Sequence, residues 1–549
     1  MMKKILYYLL IMLIFIMGLL GNCKLFAGPK EHKETRKINK SIEASPGKIL
    51  TIDAEFTDLI IEGARTNQIS VEGLLDVRNS DPEYLKSHLE NTRVLLEPFG
   101  NGYRLMLDFP DVNVDIRRGK KRKRIEGDSK HIRTRHFSIS TYARLRIKVP
   151  ASQSLEIDNR YGDISVRGMS GDIQINNTSG EVNVDHCRGS LDIKNNYALI
   201  AVRHFKGRVR VTGSSCPVKL TDISESAVIH TSYKPITFDG IGGNLEIKSQ
   251  SSVITGKNVS GNCQIKASYK GITLENISGN LVVDGQSCAV KVTGIGGNGD
   301  IESSYKPVEI YDVVGRLKIA GQSCPVTIKN VGQDTQIRSS YKSIVVNGVK
   351  GKLDIDGQSC PVFGSDINGS IKVVSSYKPI TLDRCEGSVN IRTTSGIIIL
   401  TDIKGGVKIY SKYKPIVINR IGGSLEIDGD SCAVKVDTVK GDVNIRNSYK
   451  YVILKHTSSS IKVKGNSSPI AVTDINLLPS GSKIELTTTF KTVKLSLPAQ
   501  LQFQITAYST YGRIDSEFPV LLRSNPSPAE AGKIPVFIKT SKDIIIKKD

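Results

Sequence analysis

From Gly171 onward, apolar and polar positions repeat with a period of 18 and no insertion for most of the chain. Anchoring the count at Gly171 and stepping by 18 finds glycine at 14 of 17 anchors, with Glu225, Gln333 and Ser459 the exceptions. Two and four residues after an anchor come apolar residues, as in Leu245/Ile247, Leu281/Val283 and Leu425/Ile427. Eleven, thirteen and sixteen residues after it come more, as in Val290, Val292 and Ile295. Spacing of two within each group predicts short strands with one buried face. Each 18-residue unit therefore holds two strands and two turns. The anchor glycine suits a turn that needs positive φ.

One unit cannot fold alone, because burying about five aliphatics falls short of the entropy of ordering the whole unit. Units must stack. A strict period predicts an all-β fold, a parallel β-solenoid of about 18-residue coils, each hydrogen-bonded to the next. An open antiparallel meander is the competing arrangement, since it uses the same alternation. Residues 151–476 form the expected solenoid domain, flanked by β-rich N- and C-terminal caps at 36–150 and 477–549.

Within the first cap, ILTIDAEFTDLIIEG and ISVEGLLDV alternate like strands. Asp81 and Pro82 read as the N-cap and first turn of a helix near Glu83–Asn91. After Ser459 the frame loosens: TTFKTVKLSLP repeats the earlier pattern about five residues late, with Phe490 and Lys491 in the Tyr-Lys places. The strands after it are expected to close the far end.

A second, 36-residue period overlies the first. Tyr161, Tyr197, Tyr233, Tyr269, Tyr305, Tyr341, Tyr377, Tyr413 and Tyr449 are evenly spaced. Lysine follows seven of them: Lys234, Lys270, Lys306, Lys342, Lys378, Lys414 and Lys450. These Tyr-Lys pairs are the candidate ligand-binding residues. One reading makes them a strip of phenols and ammonium groups facing a polyanion. The other makes the tyrosines corner wedges and the lysines a solubilising surface. Cys216, Cys288, Cys324, Cys360 and Cys432 fall midway between, at the lysine offset, so each thiol would lie between lysines of adjacent coils. Such flanking favours a thiolate. Coils about 4.8 Å apart would keep cysteines two coils apart from pairing.

No catalytic, cofactor-binding or metal-binding residues emerge, and no cofactor is implied. Stacked Cys-Lys-Cys columns do not converge four ligands on zinc. Hydrolytic solenoids need two carboxylates at a set separation, whereas Asp284, Asp356 and Asp428 recur singly. A polysaccharide-acting enzyme and a purely structural envelope protein remain the alternatives to a binding protein.

Charge and leader shape the functional reading. The formal net charge is +22, which favours an anionic partner. Lys3 and Lys4 followed by the apolar run Ile5–Leu20 read as an export signal within residues 1–27, cleaved after Ala27. LLGNC offers a second processing site, a lipoprotein-like box ending at Cys23, which would carry the lipid anchor. Export places the chain in the periplasm or at the cell surface. RRGKKRKR, Arg117–Arg124, is either a polyanion-binding arm or a solvated hairpin insertion. It lacks interleaved aromatics, and with export that argues against nucleic acid. Trp is absent and aromatic content is 6%, which argues against an aromatic-lined sugar groove.

Three passages, GKILTIDAEFTDLIIEG, KVPASQSLEIDNRYGDISVRGMSGDI and LSLPAQLQFQITAYSTYGRIDSEFPV, resemble the bacterial exported "putative adhesin" β-strand-repeat family. The resemblance covers roughly residues 36–549. It implies an exported, right-handed β-solenoid-like fold and carries over no catalytic residue. Anionic glycans or envelope polymers are the partners expected on this reading, with membrane attachment only through Cys23.

Overall fold

A computed structural model describes residues 32–79, 82–110, 114–118, 121–125, 140–476, 478–528 and 530–549. The export signal, Ala27 and Cys23 lie outside the described residues. The chain forms two compact units that divide after Val182.

In the first unit, β1 (His32–Glu43), β2 (Ile49–Ala54), β3 (Thr57–Ala64) and β4 (Gln68–Asn79) precede helix α1 (Pro82–Asn91). After it come β5 (Arg93–Phe99), β6 (Gly102–Asp108), β7 (Val114–Arg118), β8 (Lys121–Ile125) and β9 (Ser140–Pro150). Pro82 opens the helix, where its missing N–H costs nothing. Leu85 and Leu89 are its buried face. Arg36 donates to the Leu89 and Thr92 carbonyls at 2.6 and 2.8 Å, satisfying the helix end. β7 and β8 pair antiparallel with each other; the side chains of the basic run lie outside the described residues.

The region before Pro150 already contains a coil. β2 and β3 pair in parallel with β10 (Ser154–Asn159) and β11 (Ile164–Arg167), Leu50 against Leu155 and Leu59 against Ile164. An insertion separates these coils, so the period is invisible there in the sequence. On their other edges β6 covers β2 and β9 covers β3, both in parallel. β4 joins β9 antiparallel and β1 closes that sheet. The open edge is thereby turned into hairpins.

The second unit is a parallel β-solenoid, and the antiparallel meander is excluded. Each strand pairs with its counterpart one period later: Leu245 with Cys263, Cys263 with Leu281, Ile272 with Val290, Val290 with Val308. Residues two and four after an anchor line one sheet, and residues eleven, thirteen and sixteen after it line the other. Ile247, Ile265, Val283, Ile301 and Ile319 stack in one such column, at most 1% exposed.

Two backbone features explain the offsets. The step from thirteen to sixteen breaks the two-residue alternation because the residue at fifteen has positive φ. Asn276 (57°), Gly294 (82°), Asp312 (59°) and Asn330 (60°) occupy it in successive coils. Two neighbouring side chains then face outward, and residue sixteen returns to the core. Asn, Asp and Gly tolerate that conformation best.

The anchor glycines are needed for a different reason than sequence reasoning assigns. Only Gly189 (118°) and Gly207 (145°) have positive φ. The others are held by close approach: a Cβ on Gly279 would meet the Gly261 carbonyl oxygen at 2.5 Å, and one on Gly315 the Gly297 oxygen at 2.5 Å. Several anchor N–H groups donate to the anchor carbonyl one coil earlier, Gly297 to Gly279 at 3.0 Å and Gly315 to Gly297 at 3.1 Å. Glycine is the residue that lets these backbones touch.

At the far end Ile461 pairs with Ile484, the five-residue delay seen in the sequence. Coil order then departs from chain order. Strands Ile534–Thr540 and Ile544–Lys548 stack directly on Ile484–Thr487 and Val493–Leu497. Phe503–Ser509 and Ile514–Ser516 lie beyond them. The last segment of the chain is thus inserted beneath an earlier one.

Candidate functional site

All seven Tyr-Lys pairs lie on one corner of the second unit, between its two sheets, and all fourteen residues are exposed. Tyr233, Tyr269, Tyr305, Tyr341, Tyr377, Tyr413 and Tyr449 have φ between 62° and 69°. A three-residue turn encloses each tyrosine where the closing bond forms: Lys306 N–H donates to Ser304 O at 2.8 Å and Lys342 N–H to Ser340 O at 2.8 Å. The tyrosine N–H donates forward, Tyr305 to Gln322 O at 2.9 Å. Backbone bonding on both sides of the corner fixes the conformation and turns the ring out.

Some lysines of this unit are paired across coils, while others away from the corner, among them Lys329, Lys350 and Lys435, have no ion pair among the described residues. Lys266, Lys318 and Lys408, on the outer face of a sheet, pair with Asp284, Asp300 and Glu426 of a neighbouring coil at 3.2, 3.2 and 3.0 Å. None of the seven corner lysines forms an ion pair with any of the described residues. Alternate coils place them about 9.6 Å apart.

Beside the corner runs a shallow groove of about 910 Å³ along the coil axis. Its lining alternates amide and hydroxyl side chains, Gln286, Ser304, Gln322, Ser340 and Gln358, beside the charged Lys266, Arg338, Asp284, Glu302 and Asp356. Sequence reasoning missed this row, although its 36-residue period is legible in GQSC and SSYK. Tyr197 belongs to the same corner and is 67% exposed, but Ala198 follows it in place of lysine. Phe490 takes the tyrosine place near the far end, with φ 55°. In the first unit Tyr161 stacks on Phe56, ring centroids 4.7 Å apart.

The cysteines do not stand between lysines. Cys216, Cys288, Cys324, Cys360 and Cys432 share the lysine offset but turn inward and have no exposed surface. Burial pushes the Cys288, Cys324 and Cys360 thiols up, opposite to the thiolate that lysine flanking would favour. Cys263 and Cys385, in core columns, are pushed by burial up to about 12 and about 11. Among the described residues, the eight cysteines from Cys187 to Cys432 form no disulfide. They are small core residues.

No family model matches the chain, and no curated protein matches it. Among solved structures it is similar to a "putative cell adhesion protein" from Clostridium sporogenes, at 10% identity and a TM-score of 0.21. That match covers 43% of this chain and 100% of the other. A likeness of that size carries no functional weight.

Proposed function

We propose that this chain is an exported, adhesin-like envelope protein that binds linear anionic polymers along its Tyr-Lys corner. The observation that supports this reading is the row of seven exposed, uncompensated ammonium groups, one every second coil. A spacing of about 9.6 Å is close to the Debye length of about 8 Å at physiological salt. A small anion would therefore feel one lysine, whereas a long polymer would engage several and gain by effective concentration. The tyrosines offer apolar faces to sugar rings between the charges. The Gln/Ser row offers donors and acceptors at the same two-coil step, which suits a polymer with one anionic group per repeating unit.

The test is binding of dextran sulfate and polyphosphate, each graded by length, to the full chain and to a variant carrying Lys306→Gln, Lys342→Gln and Lys378→Gln. Parent affinity is expected to rise with polymer length and fall steeply with salt. The variant is expected to bind more weakly with a shallower salt dependence and an unchanged fold. Equal affinity of the two proteins across salt concentrations would return the lysines to a solubilising role.

A further inference from the structure

We propose that Asp185, His186 and His204 of the second unit form a site for one divalent transition metal ion, with zinc the ion the donor set fits best. His204 follows His186 by one coil and holds the same offset within it. Both take positive φ, 51° and 48°. Stacking of coils therefore brings the two imidazoles together, ring centroids 4.4 Å apart. Asp185 Oδ1 lies 2.8 Å from His186 Nδ1 and 3.0 Å from His204 Nδ1. The three donors all fall within 4.8 Å of one another.

This set suits zinc in charge, type and geometry. Two imidazoles and a carboxylate are borderline ligands of the kind zinc takes, leaving a fourth position for water. Bonds of about 2.0–2.2 Å at tetrahedral angles put donors roughly 3.3 Å apart. Asp185 Oδ1, now 2.8 and 3.0 Å from the two imidazole nitrogens, would need to move only a few tenths of an ångström further from each. All three side chains are at least one-third exposed, so nothing packed resists that movement. His204 also has the outer partner that metal-binding histidines use: its Nε2 faces Asp222 Oδ2 of the next coil at 3.5 Å. One ring nitrogen would thus meet the metal while the other donates to a carboxylate.

The chain carries its own comparison. Asp437, Thr438 and His456 occupy the corresponding offsets later in the same unit, and Asp474 corresponds to Asp222. His456 Nδ1 lies 2.7 Å from Asp437 Oδ1, the same histidine–carboxylate contact. Thr438, at φ 64°, stands where the first site has His186. An exposed His–Asp pair alone is therefore an ordinary surface contact of this fold, and the second imidazole makes the difference.

The experiment is calorimetric titration of the untagged full chain with zinc chloride, with cobalt(II) absorption as a readout of ligand type. One zinc per chain is expected at micromolar affinity, and cobalt should give a spectrum without a thiolate charge-transfer band. His186→Thr, which recreates the later trio, should weaken zinc at least about tenfold while circular dichroism stays unchanged. Thr438→His should raise the stoichiometry to two, which keeps the idea testable if His186→Thr misfolds. Absence of saturable zinc binding by the parent, or parent-like binding by the folded His186→Thr chain, overturns the proposal. A Thr438→His stoichiometry still at one counts against the stacked pair as its basis.

Discussion

At Ser323 and Tyr341 the second unit makes similar corners one coil apart, with φ 56° and 62°. The residues that follow go opposite ways. Cys324 is fully buried, while Lys342 is exposed. The cause lies two residues before each corner. Gly321 leaves room for the thiol, since a Cβ there would come within 3.2 Å of Cys324 Cβ. In the next coil Ser339 fills that room, and its Oγ donates back to Cys324 O at 3.1 Å. Ser303 does the same to Cys288 O at 2.7 Å, and Ser375 to Cys360 O at 2.9 Å. Turn closure also differs. Lys342 N–H bonds two residues back, but the corresponding Cys288 and Cys360 N–H groups reach three residues back, each at 3.4 Å. Two coils thus interlock as a pair, which is why an 18-residue coil carries a 36-residue sequence period.

The sharpest way to break the pairing is to force the wrong side chain inward. Cys324→Lys would bury an ammonium with no partner, which costs about 3–5 kcal/mol. Amide exchange in the adjoining strand Val326–Val331 should accelerate accordingly. Adding Gly321→Ser should recover part of the loss, because it copies the neighbouring corner that sends lysine out. The mirror change, Lys306→Ser, should alter stability by less than about 0.5 kcal/mol. Equal exchange rates for Cys324→Lys and the parent would show that the residue at this offset chooses its own side.

A smaller effect is expected from the link between the coils. Ser339→Ala removes the donor to the Cys324 carbonyl and leaves a buried acceptor unmet, a loss of about 1–2 kcal/mol. Chemical unfolding of the full chain, followed with residue-level exchange, should show the loss centred on the coils of Cys324 and Ser339. An effect spread evenly over the unit would mean that the hydrogen bond does not join the pair.

The coil was legible because both sheets keep one strict offset, so glycine anchors and aliphatic columns repeat together. The alternating corner was only half legible. Tyr, Lys and Cys mark its period, but whether position nine points in or out depends on Gly321 or Ser339, whose effect needs the turn's geometry. The coil at 49–64 was hidden by the insertion between β3 and β10. At the other end, placing Ile534–Lys548 beneath Phe503–Ser516 changes no local pattern, so nothing in the sequence announces it. His186 and His204 were visible as two histidines one period apart, each in the column of positive φ. That this column faces outward follows from its positive φ, which the alternation in the sequence does not show.

The smallest effect separates the two roles considered for the tyrosines. Tyr341 sits at φ 62° and is 62% exposed. A bulky residue in that conformation carries a cost of about 1–2 kcal/mol, which Asn tolerates better. The ring's partial burial gives some of this back through apolar contact. If the ring is not a wedge, Tyr341→Asn should leave stability within about 0.5 kcal/mol of the parent or raise it slightly. Gly is the poorer probe, because its added freedom in the unfolded chain offsets the relief at the corner. The same Tyr341→Asn change, made together at Tyr305 and Tyr377, should weaken binding of long anionic polymers without changing its salt dependence, since no charge is lost. A loss of more than about 1 kcal/mol from Tyr341→Asn alone, with polymer binding intact, would make the tyrosine a wedge. The corner would then work through its lysines alone.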